Sequence, residues 1–91
     1  TAQDPLGLIS PSVEDLAGQL ADGLVTFTWS NPDPAPGDRY LVEELSLPGA
    51  APLQVVDTPS VTVPEQAGQT CVEVTLRRAN GMTSSAVKKC A

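Results

Sequence analysis

The sequence predicts an all-β sandwich of six or seven short strands with one disulfide, and three observations lead to this fold class. Apolar residues alternate with polar ones in several runs rich in Val and Thr, as in half-buried strands. Nine prolines and seven glycines are spread between these runs, as expected of many turns. The two cysteines come without any histidine, which favours a disulfide in an oxidising compartment over a zinc site.

The chain has the length of one domain, at 91 residues. We assign residues 1–10 to a flexible lead-in, because they show no periodicity, and residues 11–91 to the folded domain. Because the sequence starts at Thr1 and not at a methionine, we expect a fragment or processed form with neighbouring domains in a larger chain.

The first periodic segment fits two structures. Val13–Leu20 places its apolar residues on one face of a short helix, and it also fits an irregular first strand. The next run is a clear strand, and Ser30–Asp38 after it contains three prolines, which predicts a stiff loop outside any central sheet. The predicted strands are Leu24–Trp29, Arg39–Leu45, Leu53–Val56, Ser60–Val63, Thr70–Arg78 and Thr83–Cys90.

The alternation also predicts the core. With only one Trp, one Tyr and one Phe in the chain, these aromatic side chains are expected to be core anchors and not a ligand cage. The side chains predicted to face inward are Val25, Phe27, Trp29, Tyr40, Val42, Val61, Val63, Val72, Val74, Leu76 and Val87.

Asn80-Gly81 predicts the last hairpin and the disulfide. Asn-Gly between two alternating runs favours a two-residue type I′ turn, because both central positions need positive φ. That turn places Cys71 directly opposite Cys90, within the distance that a disulfide needs. A bulge near residue 79 would shift this pairing by one residue. The same register makes further pairs: Ala79 with Met82, Val74 with Val87, and Glu73 with Lys88.

Several segments resemble the fibronectin type III family. VTFTW at 25–29 with the proline loop resembles its second strand, and YLVE at 40–43 resembles its third. VTVP at 61–64 resembles the fifth strand, and 70–81 follows the spacing of the sixth strand and its turn. The resemblance covers about residues 11–90, and it implies an immunoglobulin-like sandwich.

One departure from that family is informative. The family has a tyrosine at the start of its sixth strand, whose hydroxyl anchors the corner, and Thr70 stands there in this chain. We expect the Cys71–Cys90 bond to replace part of that anchoring. Three short segments also resemble sequences in domains of actinobacterial surface and membrane proteins, some of which are kinases. These segments are FTWSNPDPAPGD, TCVEV and the final Cys-Ala.

Charge and composition exclude several function classes. The net charge is −6, so nucleic acid and anionic lipid are not expected partners. No apolar run approaches the 18 residues of a membrane span, so we expect no direct membrane insertion.

The residue types needed for catalysis are missing or badly placed. The chain has no histidine and no Gly-x-Ser-x-Gly elbow, and Glu43 and Glu44 point to opposite faces of one strand. Asn31, Asp33 and Asp38 lack the spacing of a calcium loop, so a solvated loop is the favoured interpretation. We expect no enzyme activity, no cofactor and no metal.

These exclusions favour a non-catalytic interaction module, and the resemblance implies that it lies outside the cytoplasm in a bacterial surface or membrane protein. Binding is expected through the proline loop, a basic strip near Arg77, Arg78 and Lys89, or an exposed strand edge. The fold analogy suggests a host signalling protein such as a cytokine as one class of protein partner. The alternative is a passive spacer in a membrane-anchored kinase or a secreted carbohydrate-active enzyme. The candidate protein-binding residues are Asp33, Pro34, Pro36, Asp38, Arg77, Arg78 and Lys89.

Overall fold

The computed structural model describes residues 11–45 and 53–91. The lead-in predicted at residues 1–10 lies outside the described residues. Among these residues, no helical segment has the length and hydropathy of a membrane span.

In the described part of the chain, seven strands form two antiparallel sheets that pack face to face. The smaller sheet has the order β1-β2-β5, and the larger has the order β4-β3-β6-β7. The predicted all-β sandwich is therefore confirmed. The strands are β1 (Glu14–Ala21), β2 (Leu24–Ser30), β3 (Arg39–Glu44), β4 (Leu53–Val56), β5 (Ser60–Pro64), β6 (Cys71–Arg77) and β7 (Val87–Cys90).

The segment that fitted either a helix or an irregular strand is the irregular strand β1. Its pairing with β2 shifts between Glu14 and Ala17, and Asp15 there has a φ of 57°. A bulge of this kind inserts one residue into the two-residue alternation. Val13 and Leu16 are thereby both buried although they are three positions apart, which is why the spacing resembles a helix.

A type I′ turn joins β1 to β2 at Asp22-Gly23. Ala21 pairs with Leu24, and the two central residues have φ values of 53° and 78°. Asp-Gly favours this turn for the same reason as Asn-Gly, because both positions need positive φ.

The type I′ turn predicted at Asn80-Gly81 is wrong. Only Gly81 has a positive φ, of 90°, and its N–H donates to the Arg78 carbonyl at 2.9 Å. The Arg78 N–H in turn donates to the Met82 carbonyl at 2.8 Å, so Met82 lies opposite Arg78 and not opposite Ala79. The hairpin has a three-residue loop that ends in a left-handed glycine, the next most common type.

The hairpin nevertheless recovers the predicted register further from its tip. Ser84 N donates to the Leu76 carbonyl, and Leu76 N donates to Ser84 Oγ, both at 2.9 Å. Val74 pairs with Val87, so the returning chain holds one extra residue between Ser84 and Val87. This irregularity limits β7 to Val87–Cys90, where the sequence predicted a strand from Thr83; Thr83 makes only an isolated bridge to Arg77.

The core lies between the two sheets and contains nearly all of the side chains predicted to face inward. Val87 differs, because it is half-buried and packs against the cluster from the edge strand β7. Val13 and Leu16 are buried core residues that the predicted set did not include. The other core members are Val25, Phe27, Trp29, Tyr40, Val42, Val61, Val63, Val72, Val74 and Leu76.

The Cys71–Cys90 disulfide is formed between directly opposed residues of β6 and β7, with 4.0 Å between their Cα atoms, as predicted. The expected loss of hydroxyl anchoring beside it is wrong. Thr70 is buried, and its Oγ1 accepts the Gln66 N–H at 2.9 Å. Thr70 and Ala91 also exchange backbone hydrogen bonds at 3.2 and 2.9 Å. Threonine therefore ties the corner to backbone four residues upstream, as the family's tyrosine does.

Candidate interaction site at the loop end

The loop at residues 31–38 and the turn at residues 78–82 lie at the same end of the sandwich, here called the loop end. The loop leads into Arg39 at the start of β3, and the turn follows Arg77 at the end of β6. Arg39 and Arg77 are directly opposite each other in the larger sheet. The predicted binding loop is therefore beside the tip of the last hairpin.

Short-range constraints give the loop its shape. Its three prolines fix φ near −65° and reduce the conformations open to the unbound loop. Asp33 N donates to Asn31 Oδ1 at 3.0 Å, which closes an Asx turn. Asp38 N donates to the Ala35 carbonyl at 3.2 Å and closes the second half of the loop.

The Asp38 carboxylate holds the loop together from inside. Its Oδ2 accepts hydrogen bonds from Asn31 Nδ2 at 2.9 Å, from Ala35 N at 3.0 Å and from Arg78 Nη1 at 2.6 Å. The Asp38 side chain is only 8% exposed. One buried oxygen thus connects both ends of the loop with the turn after β6.

Arg78 completes this connection from the hairpin. Besides Asp38, its Nη1 donates to the Asp33 carbonyl at 2.7 Å, and its Nη2 lies 3.4 Å from Asp33 Oδ2. The Arg78 side chain is 15% exposed, whereas that of Asp33 is 80% exposed. We call the Asp38–Arg78 ion pair the clamp, because it fixes the loop against the hairpin.

The environment of Asp38 favours its charged form. Burial of the carboxyl raises its pKa. The hydrogen bonds from Asn31 and Ala35 and the charge and hydrogen bond of Arg78 lower the pKa, and together they outweigh the effect of burial. The net result is that the pKa of Asp38 lies below its ordinary value of 3.8. The clamp is therefore ionised at neutral pH.

The loop backbone at Gly37 also lies close to the Ala79 side chain of the hairpin turn. Gly37 has a φ of +84°, and a Cβ added to it would lie 2.7 Å from the Cβ of Ala79. Only a residue without a side chain allows the loop to approach the turn this closely.

Gly37→Ala is expected to destabilise the domain more than Gly68→Ala does. Gly68 has the same φ of +84°, but a Cβ there meets no atom within 4 Å, so it is a matched control for backbone strain. The overpacking against Ala79 should make the Gly37 variant worse by a further ~1–3 kcal/mol. Urea unfolding of both variants measures the difference, and equal losses would show that the loop does not press on the hairpin.

The residues proposed for binding divide into three locations. Asp33, Pro34 and Pro36 are exposed at the loop end. Asp38 and Arg78 lie beneath them and form the clamp, so Arg78 is not part of a free basic strip. This pairing could not be found in the sequence, because the partners are 40 positions apart and no local pattern links them.

The two remaining candidates are part of neither the loop nor the clamp. Arg77 is exposed on the outer face of the larger sheet, opposite Arg39. Lys89 pairs with Val72, which is five residues from Arg77 along β6, or about 17 Å at the usual rise of a strand. The predicted basic strip is therefore not one surface.

Trp29 and Tyr40 pack where β2 ends and β3 begins, on either side of the loop. Their rings meet edge to face with centroids 5.2 Å apart, and both residues are 5% exposed. Phe27 is fully buried. Every aromatic residue of the chain is thus part of the core, and none is available for stacking a ligand at the surface.

The chemistry of the loop end is that of a shaped polar surface. Among the described residues, no group of three or more His, Cys, Asp or Glu side chains could hold a metal ion. The Asp38 carboxylate is bound to Arg78, which leaves Asp33 as the exposed acid of the loop.

Comparison with known proteins supports the fold. No protein family matches the chain, and no curated protein does. Ten chains of solved structures match, among them the rat CD45 extracellular region, domains d3–d4, with a TM-score of 0.65 and 17% identity over 87% of this chain. This chain spans 47% of the length of that structure. The likeness confirms the immunoglobulin-like, fibronectin type III sandwich.

Proposed function

We propose that this chain is a non-catalytic interaction module of a bacterial surface or membrane protein, and that it binds a protein partner at the loop end outside the cytoplasm. The disulfide supports an oxidising compartment. The similarity to the rat CD45 extracellular region supports the same location. The bacterial setting depends on the resemblance of short sequence segments to domains of actinobacterial surface and membrane proteins.

The clamp is the observation that carries this proposal. A binding loop that is already ordered loses little conformational entropy when its partner arrives. The prolines, the Asx turn and the three hydrogen bonds to Asp38 Oδ2 all order this loop in the free protein. Asp33, Pro34 and Pro36 are then presented to solvent in a fixed arrangement.

The exposed chemistry indicates the kind of partner. Asp33 is the exposed charge of the loop, and the whole chain has a net charge of −6. A protein with a basic patch is attracted by this field and can pair with Asp33. A host signalling protein such as a cytokine belongs to the proposed class by analogy with receptors that share this fold.

Titration of the immobilised domain with a panel of purified basic cytokines tests the proposal. Glu65→Lys is the matched control for Asp33→Lys, because Glu65 is exposed and its N–H bonds the carbonyl of Gly23 in the β1–β2 turn, at the opposite end. We expect one member of the panel to bind, about tenfold more weakly to Asp33→Lys and unchanged to Glu65→Lys. Absence of binding across the panel, or equal binding by both variants, would contradict the proposal.

A passive spacer is the second candidate, and the positions of the start of β1 and the end of β7 favour it. Glu14 pairs with Ser30 at the loop end, whereas Ala91 bonds Thr70 at the opposite end, so the described chain enters and leaves at opposite ends. A spacer has no ligand, so the loop-end variants would then change no binding at all. A polysaccharide-binding role is disfavoured because the aromatic side chains are buried.

A further inference from the structure

The outer face of the larger sheet carries charges in separated rows. Arg39 and Arg77 are directly opposite each other on β3 and β6, and both are exposed. Four residues along the same strands, Glu43 and Glu73 are also directly opposite each other. The face thus has a cationic row near the loop end and an acidic row about 13 Å away along the strands.

An apolar row lies between these two charged rows. Leu41 of β3 is flanked by Val55 of β4 and Thr75 of β6. Val55 is 58% exposed, and Leu53 beside Glu43 is 59% exposed. Exposed branched aliphatic side chains on an edge strand and its neighbour mark a surface suited to contact.

Like charges that face each other across two strands destabilise a sheet. Within the described part of the chain, no salt bridge reaches Arg39, Arg77 or Glu43. Arg39 donates to the Asp38 carbonyl at 3.2 Å, and Lys88 of β7 lies opposite Glu73 in the register. Counter-charges brought from outside the chain would remove most of the repulsion in both rows.

We propose that this face is a self-association surface whose occupant is a second copy of this chain. A two-fold axis that runs across the strands through the apolar row exchanges the two charged rows. It places Arg39 over the partner copy's Glu43 and Arg77 over its Glu73, while Leu41 and Val55 meet their own equivalents. The same patch is then complementary to itself, as an isologous contact requires.

The area of this face sets the expected strength of self-association. Three strands about 4.8 Å apart and three rows about 6.7 Å apart cover a face on the order of 300 Å². Stable interfaces bury about 800 Å² on each partner. Self-association is therefore weak in solution and is favoured when many copies are held close together, as on a surface.

Sedimentation velocity of the 91-residue chain up to about 1 mM tests the proposal, since this range detects weak dimers. Wild type is expected to associate. Arg39→Glu/Arg77→Glu and Glu43→Arg/Glu73→Arg each place like charges on like charges and are expected to remain monomeric. An equimolar mixture of the two variants restores opposite charges and is expected to associate.

The control keeps the change in net charge of the Glu43→Arg/Glu73→Arg variant but places it elsewhere on the chain. Glu14→Arg/Glu65→Arg alters two exposed acids outside this face and is expected to associate as wild type does. Concentration-dependent NMR shifts in wild type are expected at Arg39, Leu41 and Val55, and this measurement needs no variant to fold. A wild type that stays monomeric to about 1 mM, or charge-reversed variants that self-associate equally well, would overturn the proposal. Asp33→Lys leaves the association intact, so the test is independent of the loop-end function.

Discussion

Asp38→Ala is expected to lower the free energy of unfolding by about 3 kcal/mol, because it removes one member of a mostly buried ion pair. The substitution leaves Asn31 Nδ2 and Ala35 N without their shared acceptor. Arg78 keeps the Asp33 carbonyl at 2.7 Å, so the loss should fall at the low end of the range for broken buried pairs. Chemical unfolding followed by Trp29 fluorescence measures it, since that side chain packs against Tyr40 at the start of β3.

Asp33→Ala is the matched control. It removes a carboxylate from the same loop and the same arginine, but the Asp33 side chain is 80% exposed and lies 3.4 Å from Arg78. A loss within about 0.5 kcal/mol is expected, as for most surface positions. If both variants lose the same stability, the loop is not held by the clamp.

The pH dependence of the same variant provides a second readout. The pKa of Asp38 in the folded protein lies below its ordinary value of 3.8, so the folded state binds its proton less readily than the unfolded chain does. The contribution of ionised Asp38 to the free energy of unfolding is complete above that ordinary value and is lost as the pH falls through the lowered pKa. The difference between wild type and Asp38→Ala should therefore be constant near neutral pH and shrink in acid.

Alternation along the chain was sufficient to predict the sandwich, because burial of one sheet face imposes a two-residue period. That period is local, and it identified Val25, Phe27 and Val42 without knowledge of their neighbours. It failed at β1, where the bulge at Asp15 changes the spacing of Val13 and Leu16. A helix and a bulged strand leave the same spacing over eight residues, so only the pairing with β2 distinguishes them.

The last hairpin shows how a correct pairing can be predicted from an incorrect turn. The two-residue turn at Asn80-Gly81 is not formed, yet Cys71 lies opposite Cys90 because an extra residue after Ser84 restores the register. The disulfide itself selects that register, since the sulfurs can bond only when their Cα atoms lie close together.

Sequence patterns do not predict the clamp. Arg78 is adjacent to Arg77, and the sequence alone predicts that both belong to one basic strip. In a strand that continues into a turn, however, neighbouring side chains face different directions. Arg77 faces outward opposite Arg39, while Arg78 turns to the carboxylate of Asp38. Only the closing of the sandwich brings the loop after β2 to the end of β6.

Cys71→Ser/Cys90→Ser is expected to destabilise the domain by about 3 kcal/mol, because the bond closes a loop with a sequence separation of 19 residues in the unfolded chain. For a domain of this size, the melting temperature should fall by about 15 °C. The dependence of the unfolding free energy on urea should become steeper, because an unfolded chain without the cross-link is less compact and exposes more surface.

Substitution of the neighbouring Thr70 tests whether the disulfide acts only as a cross-link or anchors the same corner as the Thr70 hydroxyl. Its hydroxyl accepts the Gln66 N–H, and its backbone bonds Ala91, next to the disulfide. Thr70→Val leaves the part-buried Gln66 N–H without its acceptor, at a cost of about 1 kcal/mol. If the two devices hold the same corner, the double-mutant cycle should give a coupling of at least about 0.5 kcal/mol. Additive losses would mean that they act separately, and a loss below about 1 kcal/mol on removing the cysteines would contradict the role assigned to the disulfide.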